Sequence, residues 1–198
     1  EPWGARAIAD NIGFTATTTQ DIWADHPEKV LGCTGEFAQK YPNTARALIM
    51  ALLEASRYID DIKNRASVAQ LIAGKAYVNA PEDVILGRFL GDYDNGNGKQ
   101  WKDAHYMRFY NDGQVNFPYL SDGMWFMTQH KRWGLLTQDP DYLAVAQQVN
   151  QTALYTEAAN QLKVPVPSSL MRSSKLMDGV EWNGQDPKAY AASFAIHA

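Results

Sequence analysis

Cysteine is almost missing from this chain, Cys33 being the single one. One cysteine excludes an internal disulfide and any metal cluster built on thiolates, and a lone cysteine reads as a small buried hydrophobe. The four histidines, His26, His105, His130 and His197, lie far apart and lack a second ligand at metal spacing. Long apolar runs are missing too. The longest, Ala45 to Leu53, is interrupted by Arg46 and falls short of the ~18 to 20 residues that a membrane-spanning helix needs. Positive charge forms no stripe and the net charge is -4, so a general nucleic-acid binder is excluded and no nucleic-acid partner is expected. No G-x-S-x-G elbow, H-E-x-x-H helix or G-x-x-x-x-G-K loop occurs. The carboxylate pairs Asp60-Asp61 and Glu82-Asp83 fall at helix breaks or starts, where capping is the simpler role. Catalysis, a metal and a cofactor are therefore not expected.

What is present suits a globular protein. The 198 residues, 45% hydrophobic and 20% charged, can bury a real core. The 12% aromatic share is high and admits two readings, packed core or a surface that stacks on a flat ligand. Because Trp125-Phe126-Met127 lies inside a predicted helix, core is favoured for most of the block from Trp101 to Trp133.

Along the chain, alternating bulky and hydroxyl residues predict a short strand over Ile12 to Thr17. Thr18 or Thr19 is placed to cap a helix over Gln20 to Ala24, which Pro27 stops. Lys29 to Cys33 reads as a second strand. Helices follow: a turn at Glu36 to Lys40, a strong helix from Asn43 or Thr44 to Ile59, another over Arg65 to Ala73, and one over Glu82 to Phe89. Gly91 to Gly98 is a loop by composition. A calcium reading of it fails on spacing, because from Asp92 the fifth and sixth positions are Gly96 and Asn97. A strand over Met107 to Tyr110 is expected before the Asn111-Asp112-Gly113 turn, then helices over Asp122 to Trp133 and Asp141 to Gln161. The proline- and glycine-punctuated tail after Val164 favours short pieces wrapped over a neighbouring surface. Two short strands cannot form a stable sheet alone. The expectation is an α/β protein of which this chain is a later, helix-rich part, completing a sheet begun upstream.

Two stretches stand out for function. One is Glu1-Pro2-Trp3-Gly4, a carboxylate, a rigid proline and a large aromatic in succession. The other runs from Gln20 through Trp23 and His26-Pro27-Glu28 to Lys29, a cation opening a predicted strand. Strand edges are where α/β proteins place ligand groups, although a lysine there also reads as an ordinary solvated one.

These stretches, with Phe14 to Trp23, His26 to Gly32, Lys40-Tyr41-Pro42, Phe117-Pro118-Tyr119, Trp125-Phe126 and Arg132-Trp133-Gly134, resemble the periplasmic substrate-binding components of nitrate/bicarbonate ABC importers, within the wider nitrate/sulfonate/taurine-binding group. The resemblance implies the C-terminal half of a two-lobed clamshell of type II periplasmic-binding topology. Residues 1–35 would be the last strands of one lobe and the crossover, residues 36–140 the helices of the other lobe, and residues 141–198 a C-terminal helix and wrapping extension. It maps the family's cleft lysine onto Lys29 and its cleft edge onto Glu1, Pro2 and Trp3. Its other ligand groups lie upstream, so these residues alone are expected to show no specific anion affinity.

The function implied is binding of a small inorganic oxyanion in the cleft and its delivery to the permease and ATPase subunits of the importer. A planar, weakly basic monoanion needs N–H donors and one cation. Lysine therefore favours nitrate or nitrite over bicarbonate, while bicarbonate or sulfonate stays open. The implied location is periplasmic or extracytoplasmic, with a lipid anchor on an upstream segment as one option. A second reading keeps the fold but makes it an anion-sensing regulatory domain attached to a transporter ATPase or a sensor. A third, an enzyme of the related thiamine-precursor branch, lacks a placed nucleophile.

Overall fold

The computed structural model describes residues 2–196. Ten α-helices and four short strands lie among them: α1 (Trp3–Ala9), α2 (Thr19–Ile22), α3 (Gly35–Lys40), α4 (Pro42–Asp60), α5 (Arg65–Ala73), α6 (Glu82–Leu90), β1 (Asp92–Asp94), β2 (Gln100–Lys102), α7 (Leu120–Arg132), α8 (Tyr142–Val149), α9 (Thr152–Gln161), β3 (Ser174–Lys175), β4 (Glu181–Trp182) and α10 (Pro187–Ala192). The strands form two antiparallel pairs, β1 with β2 and β3 with β4. The residues group into two compact units. One takes the stretch up to Thr18 with Ala51–Asn116, the other Thr19–Met50 with Phe117–Ala198.

The core of the first unit is Ala69, Ala80, Ile85 and Phe89, with Ile59, Val68, Ile72 and Phe109 packed against it. Ala69, fully buried, lets α5 approach α6 closely. Gly91 ends α6 at φ +80°, where a Cβ would stand 2.8 Å from the Asp103 carbonyl oxygen. Only glycine fits that turn. The chain then makes the β1–β2 hairpin, with Tyr93 opposite Trp101, in a region expected as loop.

Arg65, fully buried, ties this unit together. Its guanidinium donates to the carbonyls of Ile59 (2.9 Å) and Phe89 (2.5 Å) and to the Asp60 carboxylate (3.0 Å). Asp60 also accepts the backbone N–H groups of Phe109, Tyr110 and Asn111 at 2.8, 3.0 and 2.8 Å. That corrects the strand expected over Met107 to Tyr110. Three successive N–H groups that would feed a ladder are taken by one carboxylate. The turn after them is built from left-handed residues, Asn111, Asp112 and Gly113, as turn chemistry at this tripeptide demands.

The second unit packs Leu120, Met124, Tyr142, Ala146, Trp182 and Tyr190, with Trp125, Met171 and Phe194 against them. The tail after Val164 is thus part of the core. The Trp182 indole N–H donates to the Ser121 carbonyl at 2.9 Å, and the backbone N–H of Arg172 donates to the Ser121 hydroxyl at 3.0 Å. The helix expected over Asp141 to Gln161 is two helices. Asn150 leaves helical geometry (φ −79°, ψ 100°), and its side-chain amide donates to the Tyr119 carbonyl at 2.8 Å.

The strands expected over Ile12 to Thr17 and Lys29 to Cys33 are irregular segments. No strand among the described residues lies beside either to complete a ladder. Cys33 is exposed, not a buried hydrophobe. A seven-residue helix, α1, stands where the sequence suggested no element.

Candidate functional site

Pro2 and Trp3 begin the first unit. Pro2 caps α1, its carbonyl accepting the Arg6 N–H at 2.9 Å, and its own side chain is buried. Trp3 opens the helix and keeps 60% of its surface exposed. A proline here fixes φ and lacks the N–H that a helix start leaves unused. Glu1 lies outside the described residues.

Lys29 belongs to the second unit, on a segment held at both ends. Upstream, Trp23 makes an antiparallel bridge with Leu176, and the Met177 N–H donates to the Ile22 carbonyl at 2.8 Å. Trp23 is buried at 5% exposure and its ring packs against Trp125 with centroids 4.7 Å apart. After it the chain turns through Asp25, at φ +54°, whose N–H donates to the Gln20 side chain at 3.0 Å. The His26 ring donates from Nδ1 to the Pro27 carbonyl at 3.0 Å. Downstream, Thr34 caps α3 by accepting the Phe37 N–H at 3.1 Å. Gln20, Trp23 and His26, three residues of the sequence pattern, thus shape the segment that carries the lysine, with Thr34 holding its far end.

The Lys29 side chain is 76% exposed, and its ammonium donates to the Glu28 carboxylate at 2.6 Å. That bond holds the Glu28 carboxyl below its usual range, with burial opposing and the Lys29 charge assisting. Between neighbours this exposed the pair adds little to stability. An ammonium has three donors, so one engaged by Glu28 leaves two for an arriving anion.

Other polar groups that could be taken for a site are committed to the fold. An open hollow of about 510 Å³ in the second unit is lined by Asp139, Asp141, Tyr142, Asp186 and Lys188, among others. Asp139 accepts the Tyr142 hydroxyl at 2.7 Å, Asp141 caps α8 and Asp186 caps α10. Burial, with the Asp139 bond second, pushes the Tyr142 phenol up. None of Pro2, Trp3 and Lys29 lines that hollow. In the 92–98 loop, Asp94 accepts the Gly96 N–H (2.6 Å) and the Gln100 amide (2.7 Å), which lower its carboxyl, the Gln100 bond first. Among the described residues no group of three His, Cys, Asp or Glu is placed to hold a metal ion.

Several motifs that carry the resemblance serve packing. Phe117 meets Tyr119 and Tyr155 edge to face. Arg132 lies over the rings of Trp133 and Phe194 and donates to the Ile196 carbonyl at 2.8 Å. The Asp122–Arg172 pair, 2.9 Å apart, was not anticipated. It is the partner choice across 50 residues that the sequence does not display.

Comparison with known proteins tests the resemblance over the whole chain. Residues 1–73 match the NMT1-like family. The nitrate/nitrite binding protein NrtA of Synechocystis is 34% identical over 201 residues, covering 99% of this chain and 45% of that protein. The crystal structure of the periplasmic nitrate-binding protein NrtA from the same organism superimposes with a TM-score of 0.94 at 32% identity, over 99% of this chain and 52% of that one. Over its whole length the chain is similar to about half of each of these nitrate-binding proteins. The bicarbonate-binding protein CmpA of Synechococcus elongatus is 31% identical, over 99% of this chain and 46% of that protein. The nitrate import ATP-binding protein NrtC of Synechocystis is 35% identical over all of this chain but 29% of its own length. The chain spans about half the length of the curated binding proteins it matches. Its fold is α/β and helix-rich, and matches the periplasmic nitrate-binding protein as the resemblance implied.

Proposed function

We propose that this chain is part of a solute-binding component of an ABC importer, acting outside the cytoplasm, that binds a small inorganic oxyanion and delivers it to the permease. Nitrate or nitrite is the ligand favoured, with Lys29 as the cation of the site and Glu1, Pro2 and Trp3 as its edge. The observation that carries this reading is likeness along the whole chain to proteins named for nitrate, in sequence at 34% and in structure at 0.94. The chemistry agrees with it. Nitrate spreads one charge over three weakly basic oxygens, so its site needs fixed N–H donors and one cation more than a metal. An exposed ammonium on a segment pinned at Trp23 and Thr34 supplies such a cation.

Calorimetry on the full-length protein with nitrate, nitrite and bicarbonate, the last with and without calcium, tests the ligand. Nitrate and nitrite are expected to bind without added metal, and bicarbonate tighter than both would overturn the order. The match to NrtC supports a second reading, an anion-sensing domain fused to a transporter ATPase. Cell fractionation separates the two, because a binding component is recovered with the extracytoplasmic proteins and an ATPase domain with the cytoplasmic face of the membrane.

A further inference from the structure

Three asparagines of this chain are followed by glycine: Asn95, Asn97 and Asn183. In such a pair the glycine backbone nitrogen can attack the asparagine side-chain carbonyl carbon, because no Cβ on the glycine blocks the approach. The fold decides which pair keeps that freedom, since hydrogen bonds that pin either reacting group hold the two apart.

The structure treats the three pairs differently. The Asn95 side-chain oxygen accepts the backbone N–H groups of Asn97 and Lys99 at 2.9 and 3.0 Å. The Gly96 N–H, its potential nucleophile, donates to the Asp94 carboxylate at 2.6 Å. A Cβ on Gly96 would stand 2.8 Å from the Gly13 carbonyl oxygen, so the neighbouring segment also restrains that glycine. The Asn183 side-chain oxygen accepts the Gln185 N–H at 3.0 Å, and Gly184 is buried against Met171 and Ser121. Asn97 is exposed, and neither its side chain nor the Gly98 N–H has a hydrogen-bond partner among the described residues. Nothing stands within 4 Å of the place a Gly98 Cβ would take.

We infer that Asn97 is a self-modification site of the folded protein, converted to aspartate and isoaspartate ahead of Asn95 and Asn183. The Gly98 nitrogen gives up its proton and bonds to the Asn97 Cγ. The bond from Cγ to the side-chain nitrogen breaks, and ammonia leaves with that proton, closing a succinimide. Water then opens the ring. Cleavage at Cγ gives aspartate, and cleavage at the Asn97 main-chain carbonyl carbon gives isoaspartate. The balance is amide plus water to acid plus ammonia. Either product adds a negative charge to a hairpin that already carries Asp92 and Asp94. Isoaspartate also lengthens the backbone inside the loop that the Asn95 N–H closes on the Lys99 carbonyl at 3.0 Å. The loop end of the β1–β2 hairpin is thus the part of the fold that the conversion loosens.

The test ages the full-length protein in mildly alkaline buffer, native and in urea, and follows the three sites by peptide mapping with mass spectrometry. In the native protein residue 97 is expected to convert at least about tenfold faster than residue 95 or residue 183. In urea the three rates should fall within a few-fold of one another. Asn97→Gln, whose extra methylene slows ring closure, should abolish the fast release of ammonia from the folded protein. The aged protein, unlike that variant, should accept methyl groups from S-adenosylmethionine through a protein-isoaspartate methyltransferase. Equal native rates at the three sites, all negligible included, overturn the inference, as does a lead by residue 95 or residue 183. So does ammonia release that Asn97→Gln leaves unchanged, or an aged protein that accepts no methyl group.

Discussion

The Arg65 guanidinium and the Asp60 carboxylate stand 3.0 Å apart, the first fully buried and the second 12% exposed. Neither is a simple ion pair. Arg65 also holds the carbonyls at the ends of α4 and α6, and Asp60 holds three consecutive N–H groups of the 109–111 segment. Asp60→Ala would leave a buried cation and three orphaned donors. It is expected to destabilise the protein by about 3–5 kcal/mol, read as a fall in urea midpoint. Asp60→Asn, which keeps the acceptor oxygen, should cost less than the alanine. Equal losses would mean that the retained acceptor oxygen contributes nothing and that the carboxylate's charge carries the whole effect.

Gly123 and Asn150 are coupled. A Cβ on Gly123 would stand 3.0 Å from the Asn150 side-chain oxygen, and that side chain is already held by the Tyr119 carbonyl. Gly123→Ala and Asn150→Ala are each expected to cost about 1–2 kcal/mol. In the double variant the clash partner is gone, so the loss should fall short of the sum by about 0.5 kcal/mol or more. Chemical denaturation of the four proteins gives the cycle, and strict additivity would contradict the contact.

Glu28 reports directly on Lys29. Its carboxyl is lowered chiefly by the Lys29 hydrogen bond, from an ordinary value of 4.5. A lowered folded-state value means that its contribution to stability is present above pH 4.5 and is lost as pH falls through the folded value. That contribution is small for an exposed pair. In a side-chain NMR titration the Glu28 midpoint is expected below 4.5, and Lys29→Ala should move it upward. An unmoved midpoint would show that the pair does not form in solution.

Local signals carried much of the fold. The helix over Arg65 to Ala73 is where the sequence reading put it, and α6 ends where the glycine-rich stretch from Gly91 was expected to break it. What the sequence hid is non-local. Met107 to Tyr110 reads as a strand because nothing nearby reveals that Asp60 takes its N–H groups. The break at Asn150 lies inside unbroken apolar periodicity, and the carbonyl it serves is 31 residues away. Residues 12–17 and 29–33 have strand-like patterns but no ladder, since pairing needs a partner that composition cannot supply. For the candidate site, Lys29 is the sequence's own expectation, and its pairing with Glu28 was not legible. That Trp23 packs on Trp125 and holds the lysine segment emerges only when the tail folds back.

The most direct measurement is calorimetric titration of nitrate into the protein with its native flanking sequence, unaltered and as Lys29→Ala, with circular dichroism confirming that both are folded. The proposed role of Lys29 predicts saturable nitrate binding by the unaltered protein. It also predicts a loss of affinity of at least about tenfold on removing the ammonium, equal to 1.4 kcal/mol or more. Undiminished nitrate affinity in a folded Lys29→Ala protein would contradict it.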